Sequence, residues 1–403
     1  MHWTELTFNG FPRADGSKGI RNFVTVVYTV YCAEHVARRI ADPFRKSGVQ
    51  LVGFDSCYPS DYAFSLVECL ATHPNTGAVL MVSLGCEEFR RSDLEAAVEA
   101  TQRPVEALVI QESGGTTKTI EAGRRWVTET LRRLSAARTA PMTPAELVVG
   151  LECGGSDGFS GITANPAVGR FTDRLVAAGG TVIFEETNEL FGCEYHLAAR
   201  ARTAGIGREV VHAVHKAVEY HRRLGHASFG GGNITGGLTT IEEKSAGAYT
   251  KSGTGPLDGV LTPGEHPPAP GLYLLDNVYD SDMRHGIPNI HDPHTVTTLA
   301  ACGCHLVVFT TGCGSVVGQA VAPVIKVCSN SGTFRKMTED MDVDAGRIIE
   351  EGADLDDIAE DIGRTVVDTA GGRPSRSERL GHQECYVSDG FFRKRAGSRC
   401  KNG

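Results

Sequence analysis

Apolar runs and amphipathic stretches alternate along nearly the whole chain. Residues 23–30 (FVTVVYTV) form an unbroken apolar, β-branched run that predicts a buried strand, and 33–44 carry helical spacing. The alternation repeats with strand 77–86 and helix 91–101, then strand 105–111 and helix 119–134. Strands apolar on both faces and separated by helices predict a parallel sheet covered on both sides. A polar stretch with two prolines, 136–144 (AARTAPMTP), interrupts the pattern and is expected to divide the chain into α/β domains at 1–138 and 145–390.

Beyond the break, a strand at 146–150 runs into LECGGSDGFSG (151–161). A helix over 166–178 follows, with Val168, Phe171 and Leu175 on one face. Asn165 is expected to cap that helix and Pro166 to take its first position. Strand 181–185 and helix 189–201 complete a βαβα unit, and a long helix spans 209–224. The glycine-rich stretch 229–238 reads as a linker, or as an ordered lead into 239–250. Strand 271–276, helix 294–301, strands 305–310 and 324–327 and helix 358–369 close the pattern. The predicted fold class is α/β: two or more parallel-sheet, Rossmann-like domains with an active-site crevice between them.

At 403 residues the chain exceeds the size of one hydrophobic core, in keeping with that division. Apolar and charged fractions of 41% and 22% are those of an ordinary globular protein and argue against disorder. A net charge of −9, with both signs mixed along the chain, provides neither a groove for nucleic acid nor a cationic membrane face. No apolar run reaches bilayer length and the N-terminus lacks signal-peptide regions, so a cytoplasmic location is expected. The twelve cysteines are then expected to stay reduced, and with no CxxC pair they do not make a zinc ribbon.

Reactive residue types collect at predicted strand ends: LGCEE (84–88), QESGGTTKT (111–119), LECGGSDGFSG, EETNE (185–189) and TTGCGS (310–315). In a parallel sheet these ends share one edge and can converge on a crevice. Cys86 reads equally well as a small core residue, and 112–115 as a turn before a helix. None of the five matches a P-loop, and no GxGxxG follows the first strand, which disfavours nucleotide binding. Cys153, Asp157, Glu186 and Glu189 offer thiolate and carboxylate donors suited to a divalent cation, iron or manganese. The bland alternative for Glu186 and Glu189 is favourable charge at a helix start. His212 and His215, with Glu219, make either a metal set or a solvated helix face, and His285, His291 and His294 form a loop cluster of the same ambiguity. No Ser–His–Asp or Cys–His signature can be placed.

Several segments, in order, together resemble the altronate/galactarate dehydratase family. They are GFPRADG (10–16) with GIRN (19–22), HPN (73–75), LGCE (84–87) and QESGGT (111–116). They continue with the LECGGSDGFSG motif and GITANP (161–166), then GNITGGLTTIEEK (232–244), FTTG (309–312) and MDVDAG (341–346). The resemblance implies a metal-dependent lyase that dehydrates a sugar acid to a 2-keto-3-deoxy acid, the divalent metal being Fe(II) or Mn(II). Stretch 232–244 is also similar to a related branch, the large subunit of (2R)-sulfolactate sulfo-lyase, which eliminates sulfite.

On this resemblance Cys153, Asp157, Glu186 and Cys86 are expected at the metal. Ser156 and Ser160 are expected among the catalytic residues, with Glu243 or Lys244 transferring protons. Asn165, Gly154, Gly155, Thr116 and Thr311 are expected to bind a small hydroxy acid. Cys313 stands where the family commonly has an arginine that would hold a substrate carboxylate, and GFDSCYP (53–59) lacks the family's histidine-containing Gly-Cys-Gly motif, so the substrate stays open. The family's small histidine-bearing N-terminal domain has no counterpart in this sequence, so a separate small SAF-like subunit is an expected partner, alongside homo-oligomerisation. A catalytically silent subunit complementing such a partner is the rival reading.

Overall fold

The computed structural model describes residues 3–225, 231–278 and 291–387. The strands of its first part are β1 (Phe8–Pro12), β2 (Lys18–Gly19), β3 (Phe23–Tyr28), β4 (Val49–Gly53), β5 (Thr76–Ser83), β6 (Val105–Val109) and β7 (Ala140–Met142). Strands β3 to β6 form a parallel sheet in the order β4-β3-β5-β6. Every residue of β5 is buried, as expected of a central parallel strand covered on both faces.

Two elements here left no mark in the periodicity: β4 (VQLVG), and the helix Asp61–Ala71. The polar break also behaves differently from a linker. Its centre is β7, which pairs antiparallel with β1 (Phe8↔Met142, Gly10↔Ala140) in a small three-stranded sheet. Pro141 is tolerated because β7 is an edge strand.

The second part holds β8 (Val148–Cys153), β9 (Thr181–Phe184), β10 (Gly259–Leu261), β11 (Leu272–Leu275), β12 (Leu306–Thr311), β13 (Val324–Cys328) and β14 (Val343–Asp344). They form one parallel seven-stranded sheet, β10-β11-β9-β8-β12-β13-β14. The architecture is thus α/β, with two parallel sheets in two α/β domains. From β8 the chain moves to β9 on one side and later to β12 on the other, so a topological switch point lies between β8 and β12. Open α/β sheets bind ligands outside the carboxyl ends of strands at such a point.

Helices Ala164–Ala177, Ile241–Lys251 and Leu355–Ala370 pack together on one face, and helix Asp292–Ala301 lies on the other against β8 and β12. Phe171, Leu151, Phe184 and Val308 fill the core between the first face and the sheet. The helix expected over 189–201 is shorter, Glu194–Ala198, because 187–193 turn at the end of β9. The helix expected from Pro166 begins at Ala164, and Asn165 lies within its first turn instead of capping it. The glycine-rich stretch is helical at Gly231–Thr235, ahead of the helix Ile241–Lys251; Phe229 and Gly230 lie outside the described residues.

The two parallel sheets are joined at a polar seam. Asn75 accepts from Ile20 N (2.9 Å) and donates to His305 O and Val321 O (both 2.9 Å). Near the C-terminus, Gln383 donates to Val49 O on edge strand β4 (3.1 Å), Glu384 accepts from Gly318 N (2.7 Å) and Tyr386 N donates to Thr297 (3.1 Å). Among the described residues no helix is long and apolar enough to cross a membrane.

Candidate active site

The LECGGSDGFSG motif is the last residues of β8 and the turn that follows. Its glycines are placed where side chains would collide. A Cβ on Gly154 would lie 2.1 Å from Asp292 Oδ2 and 2.7 Å from Phe309 Cζ. Gly155 has φ +61, in the left-handed region that favours glycine, and its carbonyl accepts from Gly312 N (3.0 Å) and Cys313 N (2.7 Å). The turns after β8 and β12 are therefore stitched together at the switch point.

Four side chains meet under this turn. Lys244 Nζ lies 2.9 Å from Ser156 Oγ and 3.2 Å from Cys153 Sγ, and Cys153 Sγ lies 3.2 Å from Glu186 Oε2. All four are buried. Lys251, fully buried, forms an ion pair with Glu186 Oε1. The two lysines stand seven residues apart on one helix, two turns along the same face. Burial alone would raise the Cys153 thiol; Lys244 and then Lys251 outweigh it and hold the thiol below its ordinary value. Burial likewise opposes the Lys244 charge, but Cys153 and Glu189 restore it and the ammonium is held above its ordinary value. The cluster can share a proton between sulfur and carboxylate while keeping a fixed cation beside both.

Beside it stand carboxyl groups of the opposite tendency. Burial, reinforced by Glu185 and Asp292, pushes Glu152 well above the usual carboxylate range. Burial and then Glu189 push Glu185 up to about 8, although Thr187 donates to it (2.9 Å). Asp292 is raised by burial against the pull of Lys244. A carboxyl pushed up to about 8, beside a buried ammonium and a low-lying thiol, is the pairing of proton donor and acceptor that acid–base chemistry at neutral pH needs.

The other sequence-predicted residues fall in several places. Asp157 is a structural hub: it accepts from Ser160 Oγ (2.9 Å), Ser329 Oγ (2.7 Å), Asn330 Nδ2 (2.7 Å) and Phe159 N (3.1 Å). Ser160 is engaged with it, and a Cβ on Gly312 would sit 2.2 Å from its Cγ. Asn165 accepts from Thr310 Oγ1 (2.7 Å), tying its helix to β12, and Thr311 Oγ1 accepts from Gly314 N (3.1 Å). Glu243 is exposed and accepts from Thr239 N (2.9 Å) at its helix start, whereas Lys244, the next residue, points into the cluster. Cys313 is exposed with its Sγ 3.8 Å from Gly232 O.

Cys86 and Thr116 belong to the four-stranded sheet, at the ends of β5 and at the start of helix Thr116–Leu134, and both are exposed. Next to Cys86, Glu87 accepts from the Thr29 and Ser83 hydroxyls and from Gly85 N (2.8 Å); against the push of burial these bonds bring it down to about 2.

Of the expected metal donors the structure brings Cys153 and Glu186 together (3.2 Å) but not Asp157 or Cys86. Glu186 is ion-paired to Lys251, Cys153 faces Lys244, Asp157 is saturated by hydroxyl and amide donors, and Cys86 lies on the other sheet. Among the described residues no three His, Cys, Asp or Glu side chains are grouped to hold a metal ion. His215 contacts Glu194 (3.2 Å) and Glu219 is taken by Arg222 (2.8 Å) and Arg223 (2.7 Å), so that trio is a charged helix face. His291 caps the helix Asp292–Ala301 and stacks on Tyr386, while His285 lies outside the described residues.

Sequence reasoning missed Lys251, Glu152 and Asp292. The seven-residue spacing from Lys244 was the available signal for Lys251. Glu152 stands within the motif itself, where an acid in an otherwise apolar strand marks a buried carboxyl.

Two family models match the chain. The one described as D-galactarate dehydratase/Altronate hydrolase, second domain, matches residues 10–135, and the one described as D-galactarate/Altronate dehydratase, C-terminal, matches 144–391. Altronate dehydratase of Escherichia coli (strain K12) is 32% identical over 394 residues, 94% of this chain and 76% of that protein. Altronate dehydratase of Bacillus subtilis (strain 168) is 30% identical over 397 residues, 94% and 77% respectively. (2R)-Sulfolactate sulfo-lyase subunit beta of Chromohalobacter salexigens is 33% identical over 396 residues, 95% and 97%.

Proposed function

This chain belongs to the D-galactarate/altronate dehydratase family, and on that premise we propose that its Cys153–Lys244 cluster dehydrates a sugar acid carrying hydroxyls on C2 and C3. The chain is a lyase of the hydro-lyase kind. The observation that carries the assignment to this cluster is the buried Lys244 ammonium between Cys153 and Ser156, at the switch point and beside carboxyls that burial raises above their ordinary range.

In this reading Cys153, kept low by its two lysines, takes the C2 proton. The C–H electron pair first becomes the C1=C2 bond of an enediolate, moving charge onto the carboxylate oxygens; as that charge returns, the pair forms the C2=C3 double bond and the C3–O bond breaks. Glu185, pushed up to about 8, gives a proton to the departing hydroxyl, which leaves as water. Lys244 faces the negative charge that develops on the carboxylate side of the enediolate, where a buried cation acts most strongly. The enol then collapses to the 2-keto-3-deoxy acid. Each of these roles is carried by the chain's own side chains.

A second reading, elimination of sulfite from a sulfonated hydroxy acid, is supported by the 33% identity to the sulfo-lyase subunit. A small histidine-bearing partner subunit belongs to either reading. The experiment is turnover by the purified full chain on altronate, galactarate and sulfolactate, with and without anaerobic Fe(II) or Mn(II) and with and without a co-expressed small subunit. Keto acid is expected from a sugar acid, falling about 10²–10³-fold in Lys244→Met. Sulfite release would favour the second reading, and absence of both products in every arm would overturn both.

A further inference from the structure

At the opposite end of the sheets, where the strands begin, one guanidinium has no hydrogen-bond partner among the described residues. Arg103 precedes Pro104 and β6; it is 7% exposed, and Nε and both terminal nitrogens are buried with no hydrogen bond. A guanidinium carries five N–H donors and stays charged, so leaving it buried and unpaired is unfavourable unless an anion joins it. Nearly every other buried cation described above has a fixed partner: Lys244 has Cys153, Lys251 has Glu186 and Lys326 donates to Ser377 (2.7 Å).

The surroundings add positive charge. Arg13 lies within the field of Arg103, and burial together with that second guanidinium pushes it below its ordinary value. Arg13 is itself fixed, donating to Pro74 O (2.6 Å), Asn22 Oδ1 (3.0 Å) and Arg21 O (3.0 Å), so it supplies charge without bending towards Arg103. Two neighbouring histidines are used up as neutral rings: His73 accepts from Asn75 N (3.0 Å) and contacts Cys304 O (3.1 Å), and His305 accepts from Val148 N (3.0 Å). The carboxylate whose field reaches both arginines is Asp15, on the turn between β1 and β2, and its Oδ1 is taken by Ser17 N (2.9 Å) and Oγ (2.7 Å). Asp15 stands with Gly16 (φ +87) on an exposed turn.

We propose that Arg103, supported by Arg13, is a binding site for a small oxyanion, phosphate or a small carboxylate, at the seam between the two domains. The site lies at the amino ends of the strands and Cys153 at their carboxyl ends, so the ion is not a reactant. It neutralises the buried guanidinium and steadies the seam that Asn75 and His305 form.

The test is titration of the full chain with sodium phosphate and with malonate, in chloride buffer at matched ionic strength, read by calorimetry and by thermal melting. One ion per chain and a saturable rise in Tm are expected, the tighter of the two anions identifying the source. Arg103→Met is expected to weaken binding at least tenfold, to lose the Tm rise, and to melt higher than the wild type in anion-free buffer. Lys244→Met is expected to keep the Tm rise, which separates this site from an anion held at the active cluster. If Arg103→Met is insoluble, Arg103→Lys, which loses the planar fork, takes its place with the same direction expected. No saturable rise with either anion, equal rises in wild type and Arg103 variant, or loss of the rise in Lys244→Met would each overturn the proposal.

Discussion

Removing the Lys251 ammonium tests how the active cluster is held together. Lys251 Nζ is fully buried and is ion-paired directly to Glu186, itself almost fully buried beside Cys153. Lys251→Met keeps the volume and the apolar stem, so cavity formation contributes little. What remains is a carboxylate stripped of its cation in a site already crowded with Glu185 and Glu152. Breaking a buried pair from one side costs roughly 3–5 kcal/mol. For a domain of 150–250 residues each kcal/mol lowers Tm by roughly 2–4 °C, giving a fall of about 6–20 °C. Glu186→Met is expected to fall by a similar amount for the mirror-image reason. The double variant Lys251→Met/Glu186→Met removes both charges and is expected to recover most of the loss, since an apolar replacement of a buried pair is often neutral or better. Scanning calorimetry at one fixed scan rate, on all four proteins, closes the cycle. A Lys251→Met protein melting within about 1–2 °C of wild type (roughly 0.5 kcal/mol), or a double variant as unstable as the two single losses added together, would refute the reasoning.

The raised Glu185 makes a pH prediction with a definite sign. Its proton is bound in the folded chain up to about pH 8 but in the unfolded chain only up to about 4.3, so its contribution to stability is complete below about pH 4.3 and lost as pH rises through 8. Tm is expected to decline from pH 6 to 9 and turnover to fall above pH 8, both flattened in Glu185→Gln, as measured by melting and pH–rate profiles. Gly154→Ala drives a Cβ into Asp292 and Phe309 and is expected to cost about 1–3 kcal/mol, with at least a tenfold loss of turnover in steady-state assays. Asn330→Ala loses its bonds to Asp157 and to Gly312 O (2.9 Å), and its cap on Thr333 N (2.7 Å), for an expected loss of about 2–4 kcal/mol in denaturant melts.

The elements legible in the sequence are those whose burial is continuous. β3, β5, β8 and β12 are almost entirely buried, and their apolar runs announce parallel strands without any partner being known. β7 carries no such run, because its pairing with β1 is set by residues some 130 positions earlier, and β4 is only five residues with Gln50 among them. In the candidate site, residue type was visible but not what each side chain faces. Asp157 and Glu186 are both buried acids; Ser329 and Asn330 claim the first, Lys251 the second, and these partners stand 65 or more positions away. Glu243 and Lys244 are adjacent in sequence yet on opposite sides of a helix surface, one exposed and one buried. Only the register of the helix Ile241–Lys251 against β8 decides which of them reaches Cys153.

The hydrogen bond from Gln383 to Val49 spans 334 positions of chain. β4 is wholly buried and lies at the edge of its sheet, so its outer rim depends on a residue made very late. At roughly 5–20 residues per second, ribosomal synthesis leaves that rim without its cover for about 17–67 s after β4 emerges. During that interval the rim of β4 lacks this hydrogen bond, and an uncovered strand edge is a template for pairing with another chain. Gln383 therefore acts as a delayed fastener on the β4 rim.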